Sequence, residues 1–257
     1  MTRKGGRSVN TRNVPVARTG VHLRSRVAWR IGWMVVTIFV VQGLVCGVAL
    51  FPVALLWVQI LAVTESSVLV RSAALSILAV PSYALFALLL MFLSALVTRG
   101  LGWRTPADRE MPIADVEWPL VHWARSMVAV HIVRLVAGTL FRGSPIWTTY
   151  LRLAGARLGR RVYVNSLSVS DYNLLDFGDD VVIGEQVHLS GHTVERGIVK
   201  TGTVRLGRNV TIGLASVVEI GVTAGDGCQV GALSLVLKHT RLEPHATYAG
   251  IPVRRLR

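Results

Sequence analysis

A period of six residues runs through the last hundred residues of the chain, and few folds are compatible with it. Aliphatic or aromatic residues recur in one phase at eleven lead positions, which are Leu158, Val164, Phe177, Ile183, Leu189, Leu206, Ile212, Val218, Ala224, Val230 and Val236. A helix repeats its apolar residues every 3.6 positions and a half-buried strand every 2, so neither explains this period. Six residues per short strand and turn, with three sides per coil, predict a β-solenoid over residues 156–257 whose coils bury one another's lead residues.

The period breaks at two places. The second and third lead positions lie 13 residues apart, one more than two repeats, which predicts a bulge near Ser170 and Asp171. The fifth and sixth lie 17 apart, which predicts a loop projecting from the coil at about residues 190–203. Loops that project from a rigid scaffold commonly carry function. This one contains the run G-H-T-V-E-R at residues 191–196.

The end of the solenoid has a motif of its own. It reads G-A-L-S-L-V-L-K from Gly231 to Lys238, then Pro244, then A-G-I-P-V from Ala249 to Val253. With the period, this run resembles the hexapeptide-repeat acyltransferases over residues 158–257. The resemblance implies a left-handed parallel β-helix, here of about four coils. It also implies a homotrimer with each active site between neighbours, and a coenzyme A thioester as acyl donor.

A narrower resemblance reaches further upstream. Apolar runs precede G-S-P at 143–145, L-R-L-A-G-A-R-L-G at 151–159 and V-S-D-Y-N-L-L-D-F-G-D-D at 169–180. Together these segments resemble one unit of the membrane-embedded terminal region of ε-poly-L-lysine synthetase-type nonribosomal peptide synthetases, whose tandem units are thought to form peptide bonds. The resemblance implies amide-bond formation from an aminoacyl thioester on a phosphopantetheine carrier. With a single unit and neither an adenylation nor a carrier domain in the sequence, we expect a carrier protein or adenylating enzyme to be a separate partner.

His192, in the projecting loop, is the candidate general base. Acyl transfer requires removal of a proton from an acceptor hydroxyl or amine, and imidazole titrates near neutral pH. Glu195, or Asp171 from the neighbouring bulge, would hold the other ring nitrogen and favour the useful tautomer. The resembling family uses a histidine on such a loop. The alternative is that these side chains cap turns or are solvated.

Positive charge gathers at the C-terminal end of the solenoid, in Lys238, Arg254 and Arg255. In the resembling family this end meets the phosphates of coenzyme A, and a carrier's phosphopantetheine and acidic surface would be attracted in the same way. Simple solvation is the alternative for each residue. Cys228 occupies a small-residue position of the repeat and is therefore predicted to lie in the core rather than act as a nucleophile. No cysteine spacing indicates a metal site.

Two long stretches without charge precede the solenoid. Residues 31–64 and 72–98 contain no Asp, Glu, Lys, Arg or His. About 20 apolar residues cross a bilayer, so residues 31–98 are predicted to form two transmembrane helices. Residues 1–30 carry eight basic residues and no acidic one. Because Lys and Arg mark the cytoplasmic side, we expect a multi-pass cell-membrane protein with its N-terminus and C-terminal domain in the cytoplasm.

The basic arm, residues 1–30, is expected to lie on anionic lipid rather than on nucleic acid. Residues 99–155 are rich in the Trp and Tyr residues typical of membrane interfaces. Only eight uncharged residues separate Arg125 from Arg134, too few for a span. This region is therefore predicted to be a linker with one or two short helices lying on the membrane.

Composition agrees with a membrane α region followed by an all-β solenoid. The chain is 52% hydrophobic and 16% charged, with a net charge of +14. Soluble domains carry about 25% charged residues, so a simple soluble domain and a disordered chain are both excluded. Three functions remain: an acyltransferase forming amides from a carrier-bound aminoacyl group, an acetyl-CoA-dependent O-acetyltransferase acting on a glycan or lipid-linked precursor, and a non-catalytic membrane scaffold for synthetase partners.

Overall fold

The structure is a computed structural model that describes residues 16–63 and 67–256. It begins with two long helices, α1 (Val16–Val63) and α2 (Val68–Gly100). They pack as a hairpin, and the Trp57 indole donates a 2.8 Å hydrogen bond to the Ser82 hydroxyl across it. Each predicted span is thus one helix. Residues 1–15, half of the predicted basic arm, lie outside the described residues.

A third apolar helical segment follows. It comprises α3 (Trp118–Val133), one π-helical stretch (Arg134–Gly138) and α4 (Thr139–Phe141). This 24-residue segment is long and apolar enough to cross a membrane, as are Ser25–Ala62 and Val68–Gly100. The sequence predicts short helices here because Arg125 and Arg134 interrupt the apolar run. The fold accommodates both charges inside the protein, with Arg125 over the Trp103 ring at 5.3 Å and Arg134 donating to the Val169 carbonyl at 2.7 Å.

Both ends of this segment are tied to the C-terminal domain. Strand β1 (Glu110–Pro112) lies just before α3 and pairs antiparallel with strand β8 of that domain, Ile198–Thr201. Beyond α4, Arg142 forms a 3.1 Å ion pair with Glu185. The third helical segment also packs against α1 and α2, so it lies between the helical hairpin and the C-terminal domain. Helix α5 (Pro145–Leu153) leads from it into the first coil.

The C-terminal domain is a parallel β-helix with three faces. Its strands, with β8 given above, are β2 (Arg157–Leu158), β3 (Tyr163–Val164), β4 (Leu175–Phe177), β5 (Val182–Ile183), β6 (His188–Leu189), β7 (His192–Glu195), β9 (Val204–Leu206), β10 (Thr211–Ile212), β11 (Val217–Val218), β12 (Thr223–Ala224), β13 (Gln229–Val230), β14 (Leu235–Val236), β15 (Arg241–Leu242), β16 (Thr247–Ala249) and β17 (Arg254–Arg255). One face has strand order β15-β12-β9-β4-β2, the second β17-β16-β13-β10-β5-β3 and the third β14-β11-β6. Every pair in these faces is parallel except β16 with β17.

The core of the β-helix is built from the predicted repeat. Equivalent lead residues stand in register on neighbouring coils, as Ile183, Ile212 and Val230 do on the second face. Ten of the eleven lead positions are buried, and Leu158 in the first coil is partly so. Cys228 is fully buried, as predicted for a core position, and burial raises the pKa of its thiol to about 11.

The two interruptions of the repeat become two local structures. At the first, Asp171 adopts a left-handed conformation with φ of 54° and precedes a short 3₁₀ turn, Tyr172–Leu174. At the second, the chain leaves the coil as an antiparallel hairpin of β7 and β8, with Thr193 opposite Lys200. The predicted loop is therefore a hairpin. Strand β1 completes a three-stranded sheet with it, and this sheet connects the segment after α2 to the β-helix.

Candidate active site

The bulge and the base of the hairpin bring His192 and Asp171 together. His192 is the first residue of β7, and its Nδ1 lies 2.6 Å from Asp171 Oδ2. The Asp171 side chain is fully buried, whereas 24% of the His192 side chain is exposed. A buried carboxylate that holds one nitrogen of a partly exposed imidazole is the arrangement that orients a general base.

Asp171 is held by donors on both carboxylate oxygens. The Gly191 main-chain N–H and the Ser170 hydroxyl each donate to Oδ2 at 3.1 Å, and the Thr105 hydroxyl donates to Oδ1 at 2.7 Å. Burial by itself raises the pKa of Asp171. The hydrogen bond and charge of His192 and the bonds from Thr105 and Ser170 outweigh burial, so its pKa lies below the usual value. The carboxylate is therefore ionised at neutral pH, which favours a proton on His192 Nδ1 and leaves Nε2 free to accept one.

Gly191 fits a position where a side chain has no room. A Cβ at this residue would lie 2.8 Å from the Asp171 Cβ and 2.9 Å from Leu174 Cδ1. The bare backbone lets the Gly191 N–H reach the carboxylate. Ser190 directly precedes Gly191. Its hydroxyl lies 3.1 Å from His192 Nδ1 and donates to the His192 carbonyl at 2.9 Å. These contacts fix the position of the imidazole.

Helix α3 forms one wall of the site. The Trp123 indole meets the His192 ring edge-to-face, with ring centroids 5.1 Å apart and planes at 69°. The sequence marks Trp123 only as an aromatic residue of the membrane-proximal region, and it carries no signal for Thr105. Both residues reach the site from segments far away in sequence, so only the tertiary structure reveals them.

Glu195 does not contact the imidazole. It lies at the far end of β7 and forms an ion pair with the Lys238 ammonium group, while the Lys238 main-chain N–H donates to Glu219 Oε2 at 3.0 Å. Of the two predicted partners for His192, the structure therefore brings Asp171 to the ring and joins Glu195 to Lys238. This ion pair connects the hairpin to the coil that carries β14.

Beyond Lys238, the other two predicted cations lie on strand β17. Arg254 and Arg255 are exposed, and Arg255 forms an ion pair with Glu243. Their strand pairs antiparallel with β16, with Ala249 opposite Arg254. In the described ranges 16–63 and 67–256, no group of three or more His, Cys, Asp or Glu side chains is placed to hold a metal ion.

Comparison with known proteins gives curated relatives that each match less than half of the chain. No family model matches. A δ-poly-L-ornithine synthetase of Acinetobacter baumannii (strain AB307-0294) is 25% identical over 111 residues, which are 43% of this chain and 8% of that protein. A galactoside O-acetyltransferase of Escherichia coli (strain K12) is 35% identical over 121 residues, which are 44% of this chain and 58% of that protein.

A solved structure of a galactoside acetyltransferase in complex with coenzyme A matches 50% of this chain and 81% of its own, at 26% identity and a TM-score of 0.37. The chain spans less than two thirds of each of the two curated relatives. Those two relatives confirm the predicted resemblance to hexapeptide-repeat acyltransferases and to a poly(amino acid) synthetase.

Proposed function

We propose that this relative of the hexapeptide-repeat acyltransferases is a membrane-anchored acyltransferase in which His192 is the general base. The observation that carries the proposal is the 2.6 Å contact between His192 Nδ1 and the buried Asp171 carboxylate. This contact leaves Nε2 as the free basic atom, on a ring that is partly exposed and therefore reachable by substrate. The curated relatives add support, because one is an O-acetyltransferase and the other a poly(amino acid) synthetase.

The reaction proceeds by direct transfer. Nε2 of His192 removes a proton from the acceptor amine or hydroxyl as that group attacks the thioester carbonyl. The imidazolium that forms is stabilised by the Asp171 carboxylate. When the tetrahedral intermediate collapses, the C–S bond breaks, the thiolate leaves, and the proton on Nε2 goes to the sulfur. An amide or ester and a free thiol are the products.

The donor is a thioester, carried either by coenzyme A or by the phosphopantetheine of a carrier protein. Lys238, Arg254 and Arg255 are the proposed residues for its phosphates, because they concentrate positive charge at the end of the β-helix. Lys238 is paired with Glu195. A donor phosphate would take over this ammonium group, so donor binding and hairpin position would be linked through Glu195.

The leading proposal for the product is an amide, formed from an aminoacyl group on a carrier protein. The similarity to the δ-poly-L-ornithine synthetase supports it. The second candidate is O-acetylation from acetyl-CoA, which the higher identity to galactoside O-acetyltransferase supports. Both reactions use the same base, and they differ in donor and acceptor. A homotrimer, or an assembly with related chains, is proposed for either reaction.

Membrane anchoring follows from α1 and α2. We propose that they are the two spans and that α3 with α4 does not cross. Support comes from the contacts of this segment: β1 before it pairs with β8, and Arg142 after it pairs with Glu185. Both ends therefore meet one domain, which lies on one side of the bilayer. With two spans, the N-terminal arm and the β-helix share a side, and the basic flanks make that side cytoplasmic.

Donor turnover tests the proposal. Purified wild type, His192→Ala and, as a matched control, His131→Ala of an exposed α3 histidine are offered acetyl-CoA or an aminoacylated carrier protein, each with an amine and a hydroxyl acceptor, and thiol release is followed. We expect release that His192→Ala lowers roughly 10²- to 10⁴-fold and His131→Ala preserves. Release from the carrier supports amide synthesis, and release from acetyl-CoA alone supports O-acetylation. No release from either donor would contradict the enzyme and favour the scaffold.

A further inference from the structure

One hydroxyl from the segment between α2 and α3 reaches the carboxylate that contacts the base. Thr105 lies in this segment (residues 101–117), is 1% exposed, and donates from its hydroxyl to Asp171 Oδ1 at 2.7 Å. The other oxygen of the same carboxylate, Oδ2, lies 2.6 Å from His192 Nδ1. Across residues 16–63 and 67–256, the Thr105 hydroxyl is the one donor to Oδ1. Thr105 and His192 therefore hold opposite oxygens of one buried carboxylate.

The bond to Oδ1 determines how the carboxylate is rotated. The terminal torsion of an aspartate has broad minima, so the group turns easily unless both of its oxygens are held. Without Thr105, Oδ1 would be a buried anionic oxygen with no donor, which is costly. The carboxylate would then turn to share the donors around Oδ2, and Oδ2 would move away from His192 Nδ1.

The main chain of Thr105 is fixed by the bulge that carries Asp171. The Thr105 N–H donates to Asn173 Oδ1 at 3.1 Å, and the Asn173 amide donates to the Thr105 carbonyl at 2.8 Å. Asn173 lies in the 3₁₀ turn that directly follows Asp171. One side chain thus holds both main-chain groups of Thr105, while the Thr105 hydroxyl holds Asp171. These bonds close a ring between the α2–α3 segment and the bulge.

The same segment is held on both sides of Thr105. Before it, the Trp103 side chain is buried under the Arg125 guanidinium of α3, which lies 5.3 Å from the ring centroid. After it, the Arg109 N–H donates to the Thr201 hydroxyl at 3.0 Å, and the Thr201 N–H donates to the Arg109 carbonyl at 2.9 Å. The position of the Thr105 hydroxyl therefore depends on the packing of α3 and of the hairpin against this segment.

We propose that Thr105 is a positioning residue for the general base: by holding Asp171 Oδ1, it keeps Oδ2 directed at His192 Nδ1. The base is then correctly oriented only while the α2–α3 segment is packed on the β-helix. The inference rests on the acyl transfer proposed above and adds control of its base by the membrane-proximal region. Because Thr105 acts through Asp171, its loss is expected to change kcat rather than the KM for donor or acceptor.

Two substitutions of the full chain in nanodiscs test the proposal. Thr105→Val removes the hydroxyl and keeps the branched shape, whereas Thr105→Ser keeps the hydroxyl. A lost hydrogen bond to a charged group corresponds to a factor of roughly 10 to 100, so we expect Thr105→Val to lower kcat by that factor. The KM for donor and acceptor should stay at the wild-type value, and Thr105→Ser should keep most of the wild-type kcat.

Thr148→Val is the matched control. Thr148 lies on α5, is 4% exposed, and donates from its hydroxyl to the Ser144 carbonyl at 3.3 Å, so the same substitution is made at a buried threonine away from the catalytic pair. Its kcat should equal that of wild type. If Thr105→Val lowers the melting temperature, Thr105→Ala is measured in its place, with Thr148→Ala as the control. An equal loss in the control, a rise in KM without a fall in kcat, or no recovery in Thr105→Ser would overturn the proposal.

A spectroscopic measurement tests the positioning without any turnover. Nitrogen NMR of the chain labelled in its seven histidines shows which ring nitrogen of His192 carries the proton, with His192→Ala identifying the signals. We expect the proton on Nδ1 in wild type and in Thr105→Ser, and a mixture of both tautomers in Thr105→Val. The same single tautomer in wild type and Thr105→Val would overturn the positioning role. Absence of turnover with every donor and acceptor would instead refute the proposed function, while the tautomer still decides the role of Thr105.

Discussion

Replacing Asp171 by asparagine isolates the charge that the proposed mechanism requires. Four donor groups, from His192, Gly191, Ser170 and Ser190, lie within hydrogen-bond distance of Oδ2. Among the described residues, Oδ1 meets only the Thr105 hydroxyl. The asparagine carbonyl is therefore expected to take the place of Oδ2. Its NH₂ would then point to Thr105, whose oxygen can accept. The orientation and tautomer of His192 are kept, and only the negative charge is lost.

The expected loss follows from hydrogen-bond energies. A bond to a charged group contributes about 1.5–3 kcal/mol and a neutral one about 0.5–1.5 kcal/mol, so the imidazolium formed in the transition state loses about 1–2 kcal/mol. That difference lowers kcat roughly 5- to 30-fold. His192→Ala removes the base altogether and is expected to cost roughly 10²- to 10⁴-fold.

The loss of kcat in Asp171→Asn is measured as thiol release at saturating donor. Asp176→Asn is the control, because its carboxylate is more exposed and is paired with Arg157. If Asp171→Asn lowers kcat as much as His192→Ala does, the tautomer of His192 has switched. The number of donors around Oδ2 would then not determine the orientation of the asparagine amide. Wild-type activity in Asp171→Asn would refute the assigned role of the carboxylate.

Three further predictions concern stability and reactivity. Because the pKa of Asp171 is lowered in the folded protein, its contribution to the free energy of unfolding is complete above the pKa of the unfolded state and is lost as pH falls. Denaturant titrations should show that the free energy of unfolding of wild type declines below about pH 4 and that this decline is weaker in Asp171→Asn. Equal declines in the two proteins would contradict the assignment. Cys228, fully buried with its thiol pKa raised to about 11, should resist iodoacetamide at pH 8 until the protein is unfolded, and rapid native labelling would be inconsistent with a core position. Gly213→Ala places a Cβ 2.5 Å from the Ala232 nitrogen and should lower the free energy of unfolding by about 1–3 kcal/mol. In the control Gly32→Ala, the new Cβ has nothing within 4 Å and the free energy of unfolding should not fall. Similar melting temperatures for the two variants would argue against the tight stacking of the coils.

Much of the β-helix could be predicted because its order is local. A residue such as Ile212 is buried by residues one coil away, and every coil repeats the same rule, so the period in the sequence is the period of the core. The same regularity made the two interruptions visible, and both are structural features at the site. The sequence alone does not distinguish Glu195 from Asp171 as the partner of His192, because sequence distance does not determine which carboxylate a hairpin brings to the ring.

Prediction was weaker for residues 99–155. Arg125 and Arg134 divided the apolar run in the sequence, yet the fold places one on the Trp103 ring and the other on the Val169 carbonyl, so a single helical segment continues past both. A charge is compatible with an apolar helix when distant parts of the chain provide its partner. A hydropathy analysis of local sequence segments does not include such distant partners.

The sequence by itself determined the two apolar helices, the solenoid and the presence of a histidine on a segment projecting from it. These depend on composition and on contacts whose spacing repeats. Only the tertiary structure decided that Asp171 contacts His192, that Glu195 pairs with Lys238, and that Thr105 and Trp123 lie against the Asp171–His192 pair. The physical reason is that hydrogen bonds and ring contacts act over a few ångströms, and the elements that make them are joined only when the helices pack on the β-helix.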